Sequence, residues 1–191
     1  MKQTIRKIGY APITVDENGT DVYGKVAWLK STEAGGREYS AEPQGETTPV
    51  YADGMCVYSA EQSDGYTIKL VILQVIDKID VDWLGNKKKG NGTAEYADGE
   101  ERPRFVLLVI DDTTDKTGLT TVFYNCQASK RPTVAGKTSE GSKFDAQFAE
   151  IEIVARPREK DSLVKLEMPG KAQTAEVPEP EEAAPTAEQE G

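Results

Sequence analysis

The sequence predicts a mainly β domain, a β-sandwich or barrel with one short flanking α-helix, long inter-strand loops and a disordered acidic C-terminal tail. Three observations predict it. Apolar residues alternate with period two, as at Tyr66, Ile68, Leu70 and Ile72, and again at Phe144, Ala146 and Phe148 leading into Ile151 and Ile153. Turn dipeptides separate these runs. A single segment departs from alternation to helical spacing.

In chain order, strands are expected near Ile8 to Thr14, Val22 to Leu29, Met55 to Ser59, Tyr66 to Leu73, Phe105 to Ile110, Leu119 to Ala128, Lys143 to Ala155 and Leu163 to Glu167. Between Val75 and Leu84 the residues Val75, Ile76, Ile79, Trp83 and Leu84 fall at spacings of three and four, and Gly85 stands where a helix would end. The dipeptides Asn18-Gly19, Asp53-Gly54, Asp64-Gly65, Asn91-Gly92 and Asp98-Gly99 each couple a residue tolerant of left-handed backbone to glycine. Most are expected to be tight reversals between antiparallel strands. Two polar stretches, Ser31 to Pro49 and Gly85 to Pro103, read as long loops of the kind that serve an interface. Residues 1–170 are thus one β domain, and 171–191, rich in Pro, Ala and Glu with no apolar period, a disordered tail.

The 191 residues are 37% hydrophobic, have room for one core, and carry a formal charge of −10 from 33 acidic and 23 basic side chains. The tail holds six Glu and one Lys, so about half of that charge sits outside the β domain. An acidic chain gains nothing from counterion release at phosphates, which argues against tight DNA binding. Apolar runs such as Leu70 to Leu73 and Phe105 to Ile110 fall far short of the roughly 20 residues a membrane helix needs. No apolar block follows the basic residues of Met1 to Tyr10, so the expected compartment is a cytoplasm and Cys56 and Cys126 are expected as buried, reduced thiols.

Chemistry is hard to place. The chain has no histidine, which removes the usual general base and the commonest metal ligand. The carboxylate pairs Asp80 with Asp82, and Asp111 with Asp112, fit acid–base work only inside a cleft, and solvated helix or turn positions are the plainer reading. Asp111, Asp112 and Asp115 offer oxygen ligands but lack the twelve-residue spacing and closing Glu of a calcium loop. No glycine-rich phosphate motif follows an expected strand. The reading is a non-enzyme without metal or cofactor. Lys87, Lys88 and Lys89 form the one basic patch, either a solvated loop or an inter-subunit loop meeting an acidic surface on another copy.

Several pieces read in order carry a resemblance: Gly9-Tyr10-Ala11-Pro12-Ile13-Thr14, then Tyr23-Gly24, then Tyr51-Ala52-Asp53-Gly54. They continue with the alternating strand from Tyr66, the helix ending Leu84-Gly85, Arg102-Pro103-Arg104-Phe105, and Phe123-Tyr124 running through Lys130 and Pro132 toward Phe144. Over roughly Ile8 to Ala155 the chain resembles the phi13-type major tail proteins of siphophages. The resemblance implies a tail tube subunit: a β-sandwich or barrel flanked by a helix that forms hexameric rings with itself, stacked into a conduit through which DNA passes without specific binding. It further implies tail tip, tape measure and terminator proteins as partners, a place in the virion tail, and assembly in the host cytoplasm. A negative lumen would repel the genome from the wall.

The alternative is a β-sandwich module for carbohydrate or a receptor, which expects clustered exposed aromatics. Trp28 and Trp83 instead fall in periodic apolar patterns that suggest core or interface.

Overall fold

The computed structural model describes residues 4–52, 55–97, 100–133 and 148–181, with the side chains of 46–62 left aside. The strands are β1 (Thr4–Val15), β2 (Asp21–Tyr23), β3 (Ala27–Trp28), β4 (Gly36–Ala52), β5 (Met55–Ile72), β6 (Lys87–Lys89), β7 (Gly92–Ala94), β8 (Arg104–Asp112), β9 (Leu119–Lys130), β10 (Ala149–Ala155) and β11 (Lys165–Pro169). The helices are α1 (Ser31–Ala34) and α2 (Asp77–Asp82). The mainly β, antiparallel expectation holds. The second helix is new, and α2 falls inside the segment whose spacing predicts it.

Nine strands form one curled sheet in the order β2-β1-β8-β9-β10-β5-β4, with β3 on β1 and β11 on β9. Strand β9 is shared along its length, its first half pairing β11 at Leu119–Phe123 and its second half β10 at Cys126–Lys130. The curl brings the start of β4 against β1 so closely that a Cβ on Gly36 would lie 2.2 Å from Ile8 Cδ1. Strand β8 shows why the central strands are apolar on both faces. Phe105, Leu107 and Val109 enter the inner core with Ile8, Tyr10, Ile68, Leu70, Ile72, Phe123, Ile151 and Ile153. Val106 and Leu108 face outward into a second cluster with Ala11, Val122 and Tyr124. A run such as this reads as a strand buried on both sides. Helix α2 closes the inner core: Ile79 and Trp83 are wholly buried, Trp83 stacks on Phe105 at 4.7 Å, and Tyr10 meets it edge-on at 5.5 Å. Each such side chain contributes about 1.5–3 kcal/mol on burial.

The structure corrects five expectations. Met55 to Ser59 and Tyr66 to Leu73 are one continuous strand, β5, and most of the stretch expected as the loop Ser31 to Pro49 is its partner β4. Strand β4 escapes a period-two reading because it lies at the sheet's edge, where a strand needs little apolar patterning; among its described side chains, Tyr39 and Ala41 pack toward the core. The loop Gly85 to Pro103 contains the separate hairpin of β6 and β7. Val22 to Leu29 is broken in two at Gly24, where a Cβ would lie 2.8 Å from Pro12 Cγ.

The fifth correction concerns the tail. Residues 171–181 lie against the outer face: Val26 N donates to Ala175 O at 3.0 Å, Trp28 Nε1 to Thr174 O at 2.8 Å, and the Tyr124 hydroxyl to Pro178 O. Val177 packs into the outer cluster. The expected boundary at 170 is therefore too early, while 182–191 lie outside the described residues. Composition hides this because the segment docks through main-chain carbonyls, the Lys171 ammonium and the Glu179 carboxylate, with little apolar surface.

Candidate functional site

Strands β4 and β5 pair from Gly36↔Ile72 to Ala52↔Met55, but β10 lies beside β5 only from Tyr66 to Ile72. Beyond that point, among the described residues, 44–52 and 55–65 pair with each other alone. The hairpin therefore has a root inside the sheet and a tip that runs on past it for about 30 Å, at the usual rise per residue.

Gly65 marks the division. Its φ is +115°, and a Cβ there would lie 1.9 Å from Ala155 O, at the last residue of β10. The register shifts between Gln44 and Gly45, leaving Asp64 without an opposite residue, so the hairpin bulges where its third strand ends. Asp64-Gly65 is thus a bulge rather than the reversal expected. Asn18-Gly19 and Asn91-Gly92 do lie at reversals, Gly19 at φ +80° with Asp16 Oδ1 accepting from the Asn18 and Thr20 amides at 2.9 and 2.8 Å. Asp53-Gly54 and Asp98-Gly99 lie outside the described residues.

Two-stranded ribbons are marginal in water, and an open strand edge templates pairing with another chain. The outer edge of β4 has no partner among the described residues. It carries Pro43 and Pro49, which lack an amide donor, and Glu38 and Glu42, the kind of residues that restrain indiscriminate edge pairing.

Lys87, Lys88 and Lys89 form β6, exposed throughout. Lys88 pairs with Asp77 at 3.4 Å and Lys87 with Glu100 at 3.1 Å, while Lys87 and Lys89 lie over the half-exposed Tyr96 ring at 5.4 and 5.8 Å. The hairpin is tied to α2 through Thr93 Oγ1 donating to Asp80 Oδ2 at 2.8 Å.

The carboxylate pairs take separate roles. Asp80 holds Thr93 and Asn86, and Asp82 accepts from the Tyr10 hydroxyl. As strand neighbours, Asp111 and Asp112 lie on opposite faces: Asp112 meets Arg6 and Lys171, and Asp115 caps its own turn through Thr113 and Thr117. No cluster of three potential metal ligands occurs among the described residues. Asp111 is wholly buried, accepts from Tyr39 Oη at 2.8 Å, and leaves Oδ1 without a partner. Desolvation pushes its carboxyl up from the ordinary range, Tyr39 opposes this, and the charge of Asp112 adds to it. Cys126 is buried, and loss of hydration pushes its thiol up as well; the Cys56 side chain lies outside the described ones.

On the outer face Arg158, 3% exposed, is the opposite case. Its guanidinium donates to Asp161 at 2.6 and 2.7 Å, to Glu179 at 2.9 and 2.7 Å and to Tyr23 Oη at 3.2 Å, and lies 4.7 Å from the centre of the Tyr124 ring. No sequence pattern announces this cluster, since its members are far apart in the chain.

No protein-family model and no curated protein matches this chain.

Proposed function

We propose that the chain is a structural, non-enzymatic subunit of a long-tailed bacteriophage tail tube, assembling with copies of itself into stacked rings around a DNA conduit. The observation that carries the reading is the β4–β5 tip, a two-stranded ribbon that extends past its own sheet and leaves a long strand edge open. A ribbon of that length gains most of its stability from neighbours, and closed rings remove open edges without leaving new ones. The ordered resemblance from Gly9 to Phe144 names the kind of assembly. The carbohydrate-module alternative draws no support from the tryptophans: Trp83 is buried in the core, and Trp28 lies across Gly9 with its indole N–H given to Thr174 O.

The test is negative-stain electron microscopy of the purified protein at high concentration across a range of salt, beside purified tails of the phage that encodes it. Rings or tubes matching those tails in diameter are the expected outcome. Isolated particles under every condition, with the chain absent from the tails, would reject the reading.

A further inference from the structure

An open cleft of about 540 Å³ lies between β4, β8, β9 and β11, with Asp111 among its lining residues. Its walls carry the rings of Tyr39, Tyr66 and Phe123, the last two packed edge to face at 5.7 Å. Lys165 already places its ammonium 5.1 Å from the centre of the Tyr66 ring while pairing with Glu167 at 2.8 Å. The cleft thus combines a desolvated carboxylate, one of whose oxygens has no donor, with aromatic faces that one ammonium of the chain itself uses.

We infer that this cleft is a binding site for an organic cation, a primary ammonium or guanidinium on an alkyl stem, with Asp111 Oδ1 as its anchor. A buried carboxylate with half its acceptors empty is costly, and a charge-assisted hydrogen bond removes that cost. Aromatic faces attract the same charge. The stem matters because Oδ1 is screened from water: a ligand entering must bring apolar surface to offset its own desolvation, which an alkyl chain supplies against Tyr66 and Phe123 and a bare metal ion does not. The inference does not depend on the tail tube reading. The cation has two possible sources, a lysine or arginine of a second copy of this chain or a free alkylamine.

The experiment is titration of the full chain with n-butylammonium and with ethylguanidinium, followed by NMR shifts and calorimetry, with butanol and calcium as controls. Saturable binding of both cations is expected, weakened about tenfold or more in Asp111→Asn, the loss of one charge-assisted bond. Lys165→Gln, which removes the competing ammonium, should bind more tightly than wild type, a gain that a purely structural role for the cleft does not produce. No saturation in the wild type, equal affinity in Asp111→Asn, or a matching response to butanol or calcium would overturn the proposal. Sedimentation of the same samples separates the sources. If a neighbouring copy supplies the cation, butylammonium suppresses self-association of the wild type and not of Asp111→Asn; if a free amine does, binding saturates and self-association stays unchanged.

Discussion

The root and the tip of the β4–β5 hairpin are the same two strands under different physics. At the root, Ile68, Leu70 and Ile72 are wholly buried, β10 supplies a third strand, and Tyr39 reaches from β4 to Asp111 on β8. At the tip, backbone pairing between two strands is all that the chain provides among its described residues. Under the proposed function, fold stability and assembly would reside in different halves of one element, divided at Gly65, where the carbonyl of Ala155 leaves no room for a side chain.

The strongest way to break this division is to remove the tip. Replacing residues 45–63 by an Asn-Gly turn should abolish ring or tube formation in the microscope while shifting unfolding by less than about 1 kcal/mol, since a lone ribbon adds little. A large loss of stability would show that the tip belongs to the fold. Leu70→Ala is the converse. It should cost about 3 kcal/mol in denaturant unfolding, within the usual span for a buried leucine, and lower Tm by roughly 10 °C. A cost under 1 kcal/mol would mean the root is not core.

How much of this was legible in the sequence follows from the same contrast. The root strand was visible because Tyr66, Ile68, Leu70 and Ile72 must alternate to fill an inner face, and α2 was visible because Ile79, Trp83 and Leu84 share one helical stripe. Strand β4 was not, because an edge strand pairs through its backbone and tolerates Pro43, Gly45 and Pro49. The dipeptide Asp64-Gly65 gave the right signal, positive φ, with the wrong consequence, since a bulge and a reversal ask for the same glycine. Of the candidate site residues, Lys87, Lys88 and Lys89 were legible as an exposed basic patch. Arg158 and the Asp111 cleft were not, because pairs such as Arg158 with Glu179 or Tyr39 with Asp111 are set by topology alone.

The side-chain partners of Arg158 are Asp161, Glu179, Tyr23 and Tyr124, none of them in the hairpin, and so it serves as a reference outside both halves. Arg158→Met should cost about 2 kcal/mol, the lower range for breaking a buried charge cluster, because Asp161 and Glu179 are 41% and 44% exposed and regain water when released. Assembly by the tip should survive at temperatures where the variant is folded. Its pH signature is that of a depressed carboxylate. Hydrogen bonding from Arg158 holds Asp161 down to about 2, below its ordinary 3.8, so its contribution is present above pH 3.8 and fades as pH falls toward 2. An Asp161→Asn variant whose acid unfolding matches wild type would contradict this.

Asp111 carries the opposite sign, and its effect on the root is the smallest of the set. Its folded-state carboxyl is raised above the ordinary 3.8 by burial, so its favourable contribution is complete below pH 3.8 and is lost as pH rises through the raised value. The titratable and charged groups that line its cleft are Arg37, Glu38 and Tyr39 on β4, Tyr66 on β5, and Lys165 and Glu167 on β11, and beside it stands Asp112, whose carboxyl Lys171 and Arg6 hold low and charged. Asp111→Asn keeps an oxygen for the Tyr39 hydroxyl and removes the charge, so at neutral pH its stability should fall within about 1 kcal/mol of wild type. The difference between the two should shift in favour of the variant as pH rises from 4 to 8. Parallel curves over that range would show that Asp111 is not the group that makes the root pH-sensitive, and a shift in favour of wild type would mean the carboxylate finds a donor in the folded chain.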